Sequence, residues 1–254
     1  MNALFRGLFD DAAIFPPGDL PMIGAVAAHR KRQSSPIAPL LGPFVCSLAR
    51  WDELAEAAAG GPALAVSLTL PGPDSIVPSA PGVDVVAIEV PGHAERGAAI
   101  TYVELPCAEI TVPRAAALAA QDLRLKIRTG GVRAEAFPSE PELAGALWSA
   151  VRGGLAFKLT AGLHDPVRHR DPVTGFEHHG FLNVLLATAR ALQGYDIERT
   201  LADQDTERVV RAVAALDEPF AGLIRRHFVS FGTCSITEPV DGLLSHGLLP
   251  EEMR

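Results

Sequence analysis

The fold is decided by two stretches of the chain, Leu123-Arg-Leu-Lys-Ile-Arg-Thr129 and Leu155-Ala-Phe-Lys-Leu-Thr160, along which polar and apolar residues alternate. Successive side chains of a β-strand point to opposite faces. Lys126 and Lys158 therefore lie on the polar face of their strands, opposite leucine, isoleucine and phenylalanine. The pattern predicts two strands that each have one apolar and one polar face.

Outside these stretches, short apolar segments bounded by glycine and proline alternate with segments rich in alanine and leucine, which is typical of a parallel sheet with crossover helices. The predicted strands are Ala12–Phe15, Pro43–Leu48, Leu64–Leu70, Val85–Val90, Ile100–Leu105, Leu123–Thr129, Leu155–Thr160 and His227–Gly232. The predicted helices are Leu20–Arg32, Trp51–Ala59, Pro113–Gln121, Glu140–Arg152, His179–Gln193 and Thr206–Leu216.

Eight strands in 254 residues predict an α/β fold, a (β/α)8 barrel of the TIM type formed as one domain over residues 1–254. The connection between Val90 and Ile100 is short for a crossover helix, which with its turns needs about a dozen residues. We therefore expect an irregular barrel. An open doubly wound sheet is the alternative.

The polar faces of the strands carry the candidate chemistry. In a barrel the apolar side chains pack on the outer helices and the polar side chains point inward, and active sites form at the carboxyl ends of the strands. Buried charges must be paired or neutralised. The sequence thus predicts one site for a small anionic substrate, surrounded by Glu89, Glu104, Lys126, Arg128 and Lys158.

Composition narrows the class of protein. A hydrophobic fraction of 48% predicts a large buried core, and the net charge of −8 argues against nucleic acid as a partner. No apolar run approaches the roughly 20 residues that cross a bilayer, and the stretch Met1–Arg6 lacks the pattern of a signal peptide. Cys46, Cys107 and Cys234 are odd in number and far apart, which fits reduced thiols in a cytoplasmic protein. A homo-oligomer stays open as an alternative to a monomer.

The chain has only three lysines, Lys31, Lys126 and Lys158, and otherwise uses arginine. Buried lysine can lose its proton and become a nucleophile or base, whereas arginine cannot. Because two neighbouring ammonium groups disfavour double protonation, we expect a lowered pKa and a Schiff base at Lys158. Lys126 would then stabilise an oxyanion or move a proton, with Glu89 or Glu104 as acid–base partner.

Residues after the strands are candidates for substrate binding. Arg128, followed by Gly130 and Gly131, offers a guanidinium fork beside a turn with free amides, which suits a carboxylate or phosphate. The loop after the last strand offers Thr233 and Ser235 to a phosphate, as last-strand loops of barrels often do.

The loop Ala161–His178 holds several histidines and is long enough to form a lid with glycine hinges. We expect His164 to transfer protons or bind an anion, and Thr160 to contact substrate from the end of its strand. No metal or other cofactor is expected, because no histidine spacing matches a ligand motif; a divalent metal is the alternative.

Three further residues have open roles. Asp10 and Asp11 could serve locally, by capping neighbouring backbone groups or by forming ion pairs. Alternatively, Asp11 reaches the site from the first strand. Cys234 is as consistent with packing as with a nucleophile, since no Cys–His–acid order is evident around it in the sequence.

The segment Phe157-Lys158-Leu-Thr160-Ala-Gly162 resembles the strand that carries the Schiff-base lysine in deoxyribose-phosphate aldolases and related class I aldolases. The resemblance implies a lyase with Lys158 as nucleophile. It covers six residues, and Lys126 lies one strand earlier, where such an aldolase would not place its second lysine. Three further segments resemble an uncharacterised bacterial protein family: Leu8–Gly18, Lys126–Gly131 and His178–Asn183. That resemblance implies no mechanism.

These observations predict a lyase or isomerase that acts on a small carbonyl compound bearing a carboxylate or phosphate, through a lysine Schiff base or an enolate. One alternative is an enolising enzyme assisted by a metal held through Glu89 and Glu104. The other, from a different class, is a non-catalytic barrel that binds an anionic metabolite.

Overall fold

The computed structural model describes residues 3–253, so Met1 and Asn2 of the stretch read for a signal peptide lie outside it, as does Arg254. Eight parallel strands form a closed barrel, in which each strand pairs with the next barrel strand along the chain and the last pairs with the first; a separate two-stranded sheet consists of β8 (His169–Arg170) and β9 (Glu177–His178). The barrel strands are β1 (Phe9–Asp11), β2 (Leu41–Ser47), β3 (Leu64–Thr69), β4 (Val83–Pro91), β5 (Ile100–Glu104), β6 (Arg124–Arg128), β7 (Phe157–Thr160) and β10 (Phe228–Thr233). The predicted (β/α)8 barrel is confirmed. The open sheet is wrong, because β1 pairs with both β2 and β10.

Helices surround the barrel, but not after every strand. They are α1 (Met22–Gln33), α2 (Trp51–Ala58), α3 (Val112–Ala120), α4 (Glu140–Arg152), α5 (Phe181–Gln193), α6 (Glu198–Leu201), α7 (Thr206–Ala214), α8 (Glu218–His227) and α9 (Thr237–Ser245). Residues 70–82 and 92–99 form connections without a helix, which confirms the expected irregularity. None of the helices within residues 3–253 has the length and hydrophobicity that crossing a membrane requires.

The first strand was predicted in the wrong place. It is Phe9–Asp11, and the predicted segment Ala12–Phe15 lies outside any strand. Aspartate is depleted in strands, so Phe-Asp-Asp is a poor strand by local preference. Tertiary packing overrides that preference: the ring of Phe9 lies 5.3 Å from Phe231 of β10 and 6.0 Å from Phe181 of α5.

The apolar faces of the strands form the main core with the outer helices. Leu125, Ile127 and Leu159 are fully buried on the outside of the barrel wall. The rings of Phe157 and Phe228 stack at 5.4 Å on neighbouring strands. Burial of each large apolar side chain stabilises the fold by roughly 1.5–3 kcal/mol. The alternation seen in the sequence therefore does separate an apolar exterior from a polar interior.

Gly130, just after β6, packs tightly against the loop that follows β7. A Cβ atom there would lie 2.7 Å from the Cα of Gly162 and 2.9 Å from the ring of Phe137. We expect Gly130→Ala to lower the free energy of unfolding by about 1–3 kcal/mol, since the backbone must shift. Gly145→Ala in α4, where a Cβ meets nothing within 4 Å, should raise it by about 0.5–1 kcal/mol. Urea denaturation of both variants measures the two free energies of unfolding. Equal changes in the two variants would contradict the prediction.

Candidate active site

A chain of alternating acidic and basic side chains crosses the inside of the barrel. It brings together the five residues that strand parity placed on inward faces, and adds an aspartate from β1. The nitrogen–oxygen distances along the chain are 2.5 Å for Asp10–Lys158, 2.7 Å for Lys158–Glu89, 2.7 Å for Glu89–Lys126, 2.9 Å for Lys126–Glu104 and 3.1 Å for Glu104–Arg128.

The register of the barrel explains why these side chains meet. Glu104, Lys126, Lys158 and Ser230 are paired neighbours across β5, β6, β7 and β10, so their side chains lie side by side on the inner face. Neighbouring strands are about 4.8 Å apart, which brings inward side chains of adjacent strands into contact. The curvature of the closed barrel then brings Glu89 of β4 between the two lysines.

Asp10 is the site residue that the sequence reasoning missed. Its Oδ2 accepts hydrogen bonds from Lys158 Nζ and from Ser230 Oγ, the latter at 2.9 Å. Asp11 points outward to α1, where its Oδ2 contacts His29 Nδ1 at 3.0 Å and Arg32 Nη1 at 2.9 Å. Of the two roles left open for Asp11, an ion pair outside the site is the one that forms, and the alternative that it reaches the site is wrong. The prediction placed the first strand at Ala12–Phe15, beyond both aspartates, and so assigned neither of them to a face. Because both lie in β1, their side chains point to opposite faces.

Glu89 is the centre of the network, because it contacts both lysines. Its Oε1 accepts from Lys158 and from Ser67 Oγ, at 2.7 Å and 2.6 Å, while its Oε2 contacts Lys126. Burial alone would raise the pKa of Glu89, but the two ammonium groups hold that pKa well below its ordinary value. Glu89 is thus a carboxylate with every oxygen satisfied.

Asp10 is less well compensated than Glu89. It shares one lysine with Glu89, and its Oδ1 is buried without a hydrogen-bond partner. Burial raises the pKa of Asp10 despite the neighbouring ammonium of Lys158. The unpaired oxygen occupies the space that a Cβ at Gly42 would fill, so the carboxyl group needs glycine on β2.

The predicted lowering of the Lys158 pKa is wrong. Burial alone would lower the pKa, but the carboxylates of Asp10 and Glu89 outweigh burial and raise it. The prediction of a lowered pKa assumed that the ammonium group of Lys126 is the charge nearest to Lys158. Instead the carboxylate of Glu89 lies between the two amines and attracts both, so Lys158 is held as an ammonium ion.

Exposure increases along the network towards the carboxyl ends of the strands. The exposed fractions of the side chains are 1% for Lys158, 6% for Lys126, 26% for Glu104 and 50% for Arg128. On the buried side, the ring of Tyr102 lies 5.3 Å from Lys158 Nζ, and its hydroxyl accepts from Arg124 at 3.3 Å. An anion that approaches from solvent would therefore meet Arg128 first and Lys126 next.

The predicted binding residues lie at the same end of the barrel, where Thr233 Oγ1 contacts His164 Nδ1 at 3.4 Å. Thr160 is the register partner of Arg128 and is half-buried. Gly131 is exposed, whereas Gly130 is buried against the β7 loop. Thr233 Oγ1 donates to the carbonyl of Ser235 at 3.0 Å, which holds the loop after β10 together. Their contacts with a substrate stay predictions.

The loop Ala161–His178 lies at the carboxyl end of the barrel, as a lid would. It contains a two-stranded hairpin, β8 (His169–Arg170) with β9 (Glu177–His178), and its His178 ring lies 4.6 Å from the ring of Phe137. Arg168 contacts Glu140 at the start of α4 at 2.8 Å. The loop thus packs beside the ends of β6 and β7, and its closure over a substrate stays a prediction.

The alternative with a divalent metal also stays a prediction. Among residues 3–253 there is no group of three or more His, Cys, Asp or Glu side chains arranged to hold a metal ion. Glu89 and Glu104, the ligands proposed for that alternative, contact Lys126. A cation at this position would have to displace the lysine.

Fold and site together define an α/β barrel with a buried lysine–carboxylate network that opens at the carboxyl ends of its strands. Comparisons of the chain with protein-family models, with curated proteins and with solved structures found no match. The resemblances in the sequence to class I aldolases and to a bacterial family are therefore not tested by them.

Proposed function

We propose that the protein is a lyase or isomerase acting on a small carbonyl compound that bears a carboxylate or phosphate, through a Schiff base on Lys126. The observation that carries the proposal is the position of this lysine. Lys126 lies where the buried network meets Glu104 and Arg128, which are open to solvent. A substrate could therefore reach its amine while an anionic group contacts Arg128.

Lys126 is a better candidate than Lys158, which the sequence had favoured. Lys158 is enclosed by Asp10 and Glu89, which raise its pKa and keep it protonated. A protonated amine cannot add to a carbonyl. Lys126 also contacts two carboxylates, but one of them, Glu104, is partly exposed and shared with Arg128, so an incoming anion can change its charge environment. Lys158 suits a different role, as a fixed positive charge that keeps Glu89 ionised beside Lys126.

The reaction needs an anion anchor and a proton acceptor. Arg128 offers a guanidinium fork to the carboxylate or phosphate. Burial would raise the pKa of Glu104, but Lys126 and Arg128 hold it below its ordinary value. An anion bound at Arg128 would compete with Glu104 for the guanidinium and so raise this pKa, which favours proton transfer to Glu104 from Lys126, 2.9 Å away. The neutral amine then adds to the carbonyl carbon, and loss of water gives the imine. The imine draws electrons from the adjacent carbon, which permits proton removal or carbon–carbon cleavage there.

Borohydride trapping tests the proposal, with pyruvate and dihydroxyacetone phosphate as probes. We expect reduction to attach the probe irreversibly to Lys126, which blocks tryptic cleavage and leaves the peptide Leu125–Arg128 intact with added mass. The chain has only three lysines, so assignment is direct, and Lys31 on α1 serves as the exposed control. Lys126→Arg should abolish trapping, because arginine stays protonated.

Two results would contradict this proposal. An adduct on Lys158 instead would reverse the roles of the lysines. Labelling of Lys31 to the same extent as Lys126 would show that the probe reacts with any lysine and that Lys126 has no special reactivity.

The non-catalytic barrel is a second candidate, favoured by the complete pairing of Glu89 and Lys158 in the interior. The network would then only stabilise the barrel and hold Arg128 in place for an anion. In that case pyruvate or phosphate should bind, but borohydride should attach no probe to Lys126. Lys126→Arg would then keep the affinity measured by calorimetry, whereas Arg128→Met would lose it.

A further inference from the structure

A cysteine, a histidine and a glutamate lie in contact at the carboxyl end of the barrel, outside the lysine network. Cys234 follows β10, His164 lies in the loop after β7, and Glu238 lies in the first turn of α9. The Sγ atom of Cys234 is 3.9 Å from His164 Nε2, and His164 Nδ1 is 2.8 Å from Glu238 Oε2. The sequence did not reveal this order, because His164 lies about 70 residues before Cys234 and Glu238, and the pairing of β7 with β10 brings it beside them.

The contact with Glu238 fixes how the imidazole can act. A carboxylate accepts a hydrogen bond, so Nδ1 of His164 carries a proton when it faces Glu238. The neutral ring then presents the unprotonated Nε2 to the thiol of Cys234. This is the arrangement in which a histidine removes a proton from a nucleophile while an acid orients the ring.

The surroundings of Cys234 make such a base necessary. Burial raises the pKa of the thiol, although a backbone hydrogen bond from Gly18 favours the thiolate. Gly18 packs so closely that a Cβ there would lie 3.1 Å from the Cβ of Cys234. The resting thiol is neutral, and its nucleophilicity depends on proton transfer to the adjacent imidazole.

The other two thiols lack this arrangement. Burial raises the pKa of Cys46 to about 12 and that of Cys107 to about 11. The Sγ atom of Cys46 donates to backbone carbonyls, and within residues 3–253 no histidine ring nitrogen hydrogen-bonds to either thiol. These two cysteines are therefore internal controls for the reactivity of Cys234.

We propose that Cys234, His164 and Glu238 form a nucleophilic site that accepts an activated acyl group from an ester or thioester. The thiol proton passes to His164 Nε2 as the sulfur–carbon bond forms. The bond from the acyl carbon to the leaving group then breaks, and the leaving group takes the proton from the imidazolium. The product is an acyl thioester on Cys234, and no oxidant or reductant is needed. The proposal does not depend on the lysine chemistry.

The test uses p-nitrophenyl acetate with the full chain, followed by an acid quench and peptide mass analysis. We expect a burst of nitrophenolate and acetylation of Cys234 in preference to Cys46 and Cys107. His164→Asn should slow the burst by about a hundredfold or more, since asparagine cannot accept the proton. His169→Asn is the matched control: this half-buried loop histidine also contacts an acid, Asp165, but not the thiol.

Glu238→Gln supplies a second variant, because Glu238 is exposed and its replacement should leave the fold intact. Glu238→Gln should slow the burst less than His164→Asn does, because the imidazole of His164 would be less firmly oriented but could still accept the thiol proton. An unchanged burst in both variants would overturn the proposal. So would acetylation that favours Cys107, or an equal loss in His169→Asn.

Discussion

Replacing Lys158 with methionine is expected to lower the free energy of unfolding by about 3–5 kcal/mol, the cost of removing one partner from a buried ion pair. Methionine fills a similar volume, so the loss comes from charge. Asp10 would lose the ammonium group that hydrogen-bonds to it, and of the two lysines that contact Glu89, Lys126 would remain. Urea denaturation at neutral pH, followed by circular dichroism, measures the change.

Two companion variants separate the lost charge pair from a general effect of the substitution. Lys31→Met, on the exposed side of α1, should change stability by less than about 0.5 kcal/mol. Adding Asp10→Asn to Lys158→Met should restore about 1 kcal/mol or more, because the two residues are in direct contact. A Lys158→Met protein as stable as the Lys31→Met control would show that the network does not stabilise the barrel.

Replacing Glu89 with glutamine is expected to destabilise the protein by about 3 kcal/mol at neutral pH. The effect should depend on pH. The folded pKa of Glu89 is far below its ordinary value of 4.5, so its stabilising contribution is present above pH 4.5 and is lost as the pH falls towards the folded pKa. The stability gap between native protein and variant should therefore be constant above about pH 5 and narrow in acid. Urea titrations between pH 3 and pH 7 measure it.

Asp10→Asn should show the opposite trend, because burial raises the folded pKa of Asp10 above the ordinary 3.8. A group with a raised pKa contributes stability below its unfolded pKa and loses that contribution as the pH rises through the folded pKa. Asparagine does not ionise, so the variant should gain relative to native as the pH rises. Glu56→Gln, at an exposed position of α2, should leave the profile nearly unchanged. If Glu89→Gln and Asp10→Asn changed with pH in the same direction, this assignment of charges would be wrong.

Much of the site could be predicted from strand alternation. Lys126, Lys158, Glu89 and Glu104 were placed on one interior surface because each opposes apolar neighbours in its own strand. That inference needs only the two-residue repeat of a strand and the covering of a parallel sheet by helices. The repeat is a local property that the sequence contains directly, and the covering by helices follows from the alternation of strand and helix segments along the chain.

The charges at the site were not predictable in the same way. The pKa of Lys158 depends on which groups surround its amine, and those groups come from β1 and β4, far away in the chain. The alternation of polar and apolar residues shows which face of the strand a side chain lies on, but not which charged group lies nearest to it. The contact of Cys234 with His164 depends likewise on β7 and β10 being neighbours in the closed barrel.

The sequence by itself determined the α/β class, most of the strands and the polar face of each, because polar and apolar residues alternate along those strands. Closure of the sheet into a barrel was settled by the structure, in which β1 pairs with both β2 and β10. Only the tertiary structure decided that the first strand begins at Phe9, where aromatic contacts with α5 and β10 outweigh a weak local preference. That start places Asp10 inside the barrel and Asp11 outside. A shift of one residue would exchange them, since the side chains of a strand alternate between its two faces.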